Sequence, residues 1–167
     1  MDLDAYRRVI ADDYLAALTS LPMADVRARR AQCQALEDEV SMHRRVVQGR
    51  LDVVRSEVDR RRSGQLASDA SQLLGGLPDA LSGERAAAGG SVTDEFIDLG
   101  ELDADDSLAN LPDLSDGGLD DALARLQVAE AVLSLRRRRL FDRIDALAEE
   151  LTRRYRTGEA SIDSLLG

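Results

Sequence analysis

The stretch "ALEDEVSMHRRVVQGRLDVVR", residues 35–55, carries two different stripes along one predicted helix. Its apolar positions recur at steps of three and four residues, which is typical of a helix that packs along a narrow seam. An extra step of four, between Val47 and Leu51, is a stutter in the repeat. The stretch therefore predicts a long coiled-coil helix, whose full seam is Cys33, Leu36, Val40, His43, Val47, Leu51, Val54 and Val58.

The second stripe is polar and lies beside the seam. Its five side chains fall within roughly 80° of arc, because each residue of a helix turns about 100°. We call this set the first polar stripe: Glu37, Ser41, Arg44, Gln48 and Asp52. An ordinary solvent-exposed flank has the same spacing, so one copy cannot distinguish a flank from a binding groove.

The whole pattern recurs 93 residues further along the chain, and this repeat distinguishes a binding groove from a solvent-exposed flank. The seam recurs, stutter included, as Leu126, Ala129, Leu133, Arg136, Leu140, Ile144, Leu147 and Leu151. The stripe recurs as a second polar stripe: Glu130, Ser134, Arg137, Phe141 and Asp145. Phe141 replaces the glutamine, while Arg45 recurs as Arg138 and Arg50 as Arg143. A solvent-exposed face has no reason to keep such a series twice, which favours one shared binding site.

These patterns predict an all-α protein built around an antiparallel two-helix coiled coil, or helical hairpin. We expect a short N-terminal helix at 1–19, coiled-coil helices at 23–63 and 119–158, and a tail at 159–167. The segment 64–118 has twelve acidic residues against the single Arg85. With its glycines and prolines, it is predicted to be a long, largely irregular acidic linker.

Composition and charge narrow the classes of function. The formal net charge is −10 and argues against general DNA binding, although all 22 basic residues are arginine. The run "RRRR" at 136–139 is a weak sign of nucleic-acid binding, because exposed aromatics are lacking and the acidic segment lies nearby. The single cysteine and the lack of a signal-like N-terminus or long apolar run predict a soluble cytoplasmic protein without membrane contact.

Catalysis is not expected. The only histidine, His43, and the only cysteine, Cys33, both fall at seam positions, so the sequence offers no thiol–imidazole pair and no metal cluster. We interpret both as packing residues and predict no catalytic residue, no metal and no cofactor.

Antiparallel pairing with the two stripes centred on each other would set residue 24 opposite 158 and residue 63 opposite 119. Both stripes would then line one face as a pseudo-two-fold polar groove. Arg44 and Arg45 would lie opposite Arg138 and Arg137, and their repulsion would favour an anionic ligand. Arginine can bind guanine O6 and N7 or a phosphate, and carboxylates can accept from the guanine N1 and N2 protons. The groove chemistry suits guanine plus phosphate.

The doubled pattern E-x3-S-x2-R-x3-Q-x3-D resembles the RsiG family, the cyclic-di-GMP-dependent anti-sigma factors of actinobacteria. The resemblance extends to "DYLAALTSLPMADVRARR" and to the ending "RRYRTGEASIDSLLG". It implies an antiparallel coiled coil that binds a partial intercalated dimer of cyclic di-GMP, two molecules in all. In that state the family holds a WhiG-type sporulation sigma factor away from RNA polymerase.

Carried over residue by residue, the resemblance implies ligand contacts from both stripes, with Arg45, Arg138 and Phe141 as additional contacts. Phe141 departs from the family's pattern and leaves one polar contact in question. The alternative is a coiled-coil adaptor or scaffold protein without a nucleotide ligand, in which the two stripes are only solvent-exposed flanks.

Overall fold

The computed structural model describes residues 2–73 and 111–159. These ranges contain three α-helices, namely α1 (Leu3–Ile10), α2 (Met23–Leu73) and α3 (Asp116–Thr157). Short 3-10 turns lie at Asp12–Leu15 and Leu18–Ser20, before α2, and at Leu111–Asp113, before α3. The described ranges hold no strand, so the predicted all-α class is confirmed.

The chain divides into two compact units. Unit 1 comprises Met1–Arg45 and Leu133–Gly167, and unit 2 comprises Val46–Val132. In unit 1, Arg27 on α2 bonds Tyr155 on α3, and further along α2 Arg44 bonds Ser134. Partner numbers fall along α3 as they rise along α2, so the two helices run antiparallel. The predicted packing of two long helices against each other is confirmed.

The same direction holds in unit 2. Gln48 bonds Glu130, and further along α2 Arg61 bonds Asp116 at the start of α3. Gly49, a poor helix former, does not interrupt α2.

Both predicted seams are buried along most of their length. Val40, Val54, Leu133, Leu140 and Leu147 are 0% exposed, and only His43, Val58 and Leu151 of the sixteen seam positions are half-buried. Burying a valine or leucine side chain contributes about 1.5–3 kcal/mol, so the seam supplies most of the packing energy. None of the helices in the described ranges combines the length and apolar character needed to cross a membrane.

Helix α1 docks within unit 1 through two arginines of α3. The Tyr6 ring is 2% exposed, with the guanidinium carbon of Arg136 5.5 Å from its centroid. Arg143 donates from Nη2 to the Ile10 carbonyl at 2.8 Å and to the Ala11 carbonyl at 3.4 Å. These two hydrogen bonds satisfy backbone carbonyls at the C-terminal end of α1. The prediction of one helix over 1–19 is therefore wrong, because α1 ends at Ile10 and 3-10 turns follow it.

The long helices also differ from prediction at their ends. Helix α2 continues through Ser63 and Gly64 to Leu73, and α3 begins at Asp116 rather than at Leu119. Ser115 caps α3, since its Oγ accepts from the Gly118 amide at 3.1 Å. Within the predicted linker, 74–110 lies outside the described residues, as does 160–167 of the predicted tail.

An arginine clamp in unit 1 ties α3 to the turn that precedes α2. Arg154 donates from Nε to Glu150 at 2.6 Å and from Nη1 to the Leu21 carbonyl at 2.7 Å. Its Nη2 donates to the carbonyls of Leu18, at 2.8 Å, and Thr19, at 3.2 Å. Both charged side chains are under 10% exposed. One buried guanidinium therefore serves a carboxylate and three backbone acceptors.

Unit 2 has a matching clamp between α2 and the turn that precedes α3. Arg61 donates to Glu57 at 2.7 Å and to the Leu114 carbonyl at 2.7 Å. Its Nη2 donates to the carbonyls of Leu111, at 3.2 Å, and Pro112, at 3.1 Å. Each residue of this clamp lies 93 positions from its counterpart in the first clamp. The two α2 residues come 93 positions before Glu150 and Arg154, and the three turn residues come 93 positions after Leu18, Thr19 and Leu21. The repeat therefore includes a 3-10 turn as well as a helix.

The bonded pairs across the two helices are not the facing pairs of the predicted register. Glu37 bonds Arg137, whereas that register places Asp145 opposite it, and Gln48 bonds Glu130, whereas that register places Ser134 opposite it. Most bonded partners thus lie about one to two helical turns nearer the start of α3. Long side chains reach partners that do not face them directly, so the offset differs from pair to pair. Only the Arg27–Tyr155 bond matches the predicted register.

Substitution of Arg154 tests the clamp. We expect Arg154→Leu to lower the free energy of unfolding by about 3 kcal/mol, because it removes the side-chain donor of the Leu18, Thr19 and Leu21 carbonyls. Urea unfolding followed by circular dichroism measures this change. Arg156→Leu, at an exposed position of the same turn, is the control and should change stability by less than about 0.5 kcal/mol. Equal losses in both variants would contradict the clamp.

Stability should also depend on pH through the two clamp carboxylates. Hydrogen bonds from Arg153 and Arg154 hold the pKa of Glu150 at about 2, and bonds from Arg60 and Arg61 do the same for Glu57. Because the folded pKa is below the ordinary 4.5, this stabilisation is complete above about pH 4.5 and is lost as pH falls towards 2. Thermal melts across pH 2–6 should show the decline, and Glu150→Gln should make it shallower.

Candidate functional site

The two polar stripes lie at the edge of the buried seam, as their angular position predicts. Most of their members are half-buried: Glu37, Ser41, Arg44, Gln48, Glu130, Ser134 and Arg137. The two terminal aspartates, Asp52 and Asp145, are exposed, as is Phe141. Side chains at such positions are fixed by the packed helices and still reach solvent, which a ligand site requires.

In unit 1 the stripes are joined by short hydrogen bonds. Glu37 Oε1 accepts from Ser41 Oγ at 2.6 Å and from Arg137 Nε at 2.8 Å. Arg44 Nε donates to Ser134 Oγ at 2.8 Å. Two of these three bonds cross from α2 to α3. The five side chains therefore form two bonded groups, each with members from both helices, and we call the two groups together the unit 1 cluster.

Glu37 provides the negative charge of this cluster. Partial burial acts to raise its pKa, but the hydrogen bonds from Ser41 and Arg137 and the charges of Arg137 and Arg45 outweigh it. The pKa of Glu37 therefore lies below its ordinary value of 4.5. The carboxylate stays ionised at neutral pH and acts as an acceptor only.

In unit 2 the stripe residues line a groove. Gln48 donates from its amide to Glu130 at 3.5 Å, and Asp52 lies 3.7 Å from the exposed Arg55. The groove has a volume of about 670 Å³ and is lined by Gln48, Leu51, Asp52, Arg55, Gln127 and Glu130. Its wall offers carboxylate and amide groups from both α2 and α3, which suits a ligand with several hydrogen-bonding edges.

The additional contacts predicted from the sequence take different places. Arg45 is exposed and donates to the Ser41 carbonyl at 3.2 Å, and Arg138 is exposed on α3. Phe141 is 38% exposed and lies under the Arg137 guanidinium, whose carbon is 4.9 Å from the ring centroid. Asp145 lines a separate groove of about 660 Å³ in unit 1.

Two arginines of the stripes bond acceptors across the helix interface. In unit 1, Arg44 bonds a serine and Arg137 bonds a carboxylate, each from the opposite helix. The repulsion between facing arginines stays a prediction. An anion approaching this cluster would compete with the bonds already made or add to them.

The cysteine of the chain lies in the buried seam. Cys33 is fully buried, and burial raises the pKa of its thiol, which disfavours the reactive thiolate. Its predicted role in packing agrees with this position. Within the described ranges, no group of histidine, cysteine and carboxylate side chains is arranged to hold a metal ion.

The arginine clamps and the docking of α1 were not predicted from the sequence. Following the 93-residue offset beyond the stripes would have found the clamps, because Glu57 and Arg61 recur as Glu150 and Arg154. Arg136 was assigned to the seam and is 3% exposed, but its partner Tyr6 could not be identified from periodicity. An aromatic contact between distant segments leaves no local sequence signal.

Comparison with known proteins adds an independent observation. A family model described as RsiG-like matches residues 12–95 and 105–167, which include both stripes and both clamps. A comparison with curated proteins finds no significant match.

Proposed function

The chain belongs to the RsiG-like family of anti-sigma regulators, and from this premise we propose that it binds cyclic di-GMP through its two polar stripes. In the ligand-bound state it holds a WhiG-type sporulation sigma factor away from RNA polymerase. The observation that carries the proposal is the unit 1 cluster, in which arginine, serine and glutamate from both helices converge at the edge of the seam. Two ligand molecules, as a partial intercalated dimer, fit the doubled pattern.

The carboxylate oxygens of the stripes are the hydrogen-bond acceptors that can recognise guanine. Both donors to Glu37 use its Oε1 atom, so its second oxygen can accept from the N1–H or N2–H of a guanine. Asp52 and Asp145 are exposed and can accept from the same edge in the other parts of the stripes. Adenine presents an acceptor at N1 and has no N2 amine, so carboxylates select guanine over adenine.

Phosphate recognition follows from the arginines. Arg44 and Arg137 each use Nε in the bonds already described, and the terminal nitrogens of a guanidinium form the face that pairs with a phosphate. Because these arginines come from different helices, one anionic ligand can bond α2 and α3 together within unit 1. Ligand binding and helix pairing are then thermodynamically linked.

That linkage explains how a small ligand can control a protein partner. A ligand that binds only the paired helices stabilises them by RT ln(1 + [L]/Kd), about 2.7 kcal/mol at a hundredfold excess over Kd. A sigma factor that binds the same paired form gains affinity reciprocally. Charge supports a basic or mixed partner surface, since the chain carries a net charge of −10.

Arginine substitutions test the ligand site. We expect Arg44→Ala and Arg137→Ala each to weaken cyclic di-GMP binding by at least tenfold, because a charge-assisted bond contributes about 1.5–3 kcal/mol. Isothermal titration calorimetry measures the affinity, and circular dichroism should show unchanged helix content, since neither side chain belongs to the seam.

Arg125→Ala is the matched control, because Arg125 is an exposed residue of α3 outside the stripe. It should bind as the wild type does. If the wild type gives no heat with cyclic di-GMP, the stripes are flanks and the alternative of an adaptor without nucleotide ligand replaces the proposal. The mutual bonds within the stripes are the observation that favours that alternative.

The switch is tested by following stability and partner affinity together. As the cyclic di-GMP concentration rises, the melting temperature should increase and the affinity for a WhiG-type sigma factor should increase in parallel. The Arg44→Ala, Arg137→Ala double variant should lose the ligand dependence of both quantities. A melting temperature that rises while sigma-factor affinity stays constant would mean that the ligand stabilises the fold without controlling the partner.

A further inference from the structure

Phe141 is the one stripe position at which the two copies differ in chemical type. In the first copy, the Gln48 amide donates a hydrogen bond to Glu130 at 3.5 Å. In the second copy, the equivalent position carries a phenyl ring that has no polar atom and is 38% exposed. Aromatic side chains are usually buried in the protein interior, and a ring that is exposed among charged side chains lacks the stabilisation that burial provides. Its position within the stripe calls for another explanation.

The ring is already one layer of a stack. The Arg137 guanidinium carbon lies 4.9 Å from the Phe141 centroid, and the two residues are one helical turn apart on α3. Arg137 is also fixed at its Nε by Glu37, which accepts in addition from Ser41. The guanidinium plane is therefore held on one side by a carboxylate and packed against the ring. A planar group that is ordered in advance binds another with a smaller entropy cost.

A stacking surface and an amide recognise different parts of a base. Every base has a π face, so an aromatic ring binds bases with little regard to their type. An amide or carboxylate bonds to the edge of the base, where guanine and adenine differ. With a ring in place of the amide, the second copy therefore loses hydrogen bonds to the edge of a base. It gains stacking on the face of the base, which does not depend on the base type.

We propose that Phe141, with Arg137, is a base-stacking platform of the second stripe, so that the two stripes recognise a base in different ways. The second copy binds a base by its face, and the first copy, through Gln48, contributes more of the selectivity for guanine. This inference rests on the proposed function, and it assigns a role to the residue at which this chain departs from the repeated pattern.

Calorimetry with two ligands tests the division of roles in the full-length chain. We expect Phe141→Leu to weaken cyclic di-GMP and cyclic di-AMP binding by about fivefold or more, and by similar factors, because it removes the π face and keeps an apolar side chain. Gln48→Leu, the matched variant of the other copy, should weaken cyclic di-GMP more than cyclic di-AMP and so reduce the ratio of the two affinities.

A spectroscopic measurement detects the stack directly. The chain contains no tryptophan, so Phe141→Trp introduces a single indole at the platform. This variant keeps a π face, so it should bind cyclic di-GMP more tightly than Phe141→Leu does, and its fluorescence should be quenched as the guanine stacks on the indole. Tyr155→Trp, at an exposed α3 position outside the stripe, is the control and should keep its emission during the same titration.

The outcomes separate this inference from the proposed function. If the wild type binds no cyclic di-GMP, the proposed function fails and the platform fails with it. If the wild type binds and Phe141→Leu binds both dinucleotides equally well, the platform alone is overturned. Unchanged Phe141→Trp emission at a ligand concentration that calorimetry shows to be saturating would also overturn it.

Discussion

The two arginine clamps are the constraint on which the rest of the structure depends. An apolar seam of heptad period buries nearly the same side chains after a shift of one heptad, about 10 Å along the axis, so the seam alone does not fix the register. Arg154 and Arg61 each bond three backbone carbonyls in the turn before the partner helix. A shift of 10 Å would break all of these bonds.

Register in turn decides which polar side chains meet. Glu37 and Ser134 accept hydrogen bonds from Arg137 and Arg44 of the opposite helix. Each of these two arginines therefore has an acceptor across the helix interface. Under the proposed function, an anionic ligand would add hydrogen bonds to the guanidinium groups and would stack on Phe141.

The sequence predicted those features that follow from local periodicity. The helix class, both seams and the half-buried position of most stripe residues all follow from the 3.6-residue period. The end of α1 at Ile10 was not predictable, because it depends on Arg143 bonding carbonyls 132 and 133 residues away in the chain. Nor was the end of α2, since the "RRRSG" stretch lowers helix propensity only weakly and does not stop the helix at Gly64.

The doubling of the pattern within one chain has a consequence for recognition. Two identical subunits around a two-fold axis must present the same residue on both sides of a site, so any substitution appears twice. Two copies in one polypeptide are free of that restriction, and here one carries Gln48 and the other Phe141. The clamps, by contrast, are the same in both copies, because each turn presents the same set of carbonyls to be satisfied. The two copies therefore agree where backbone bonds require it, and they differ at a position that, under the proposed function, contacts a ligand base.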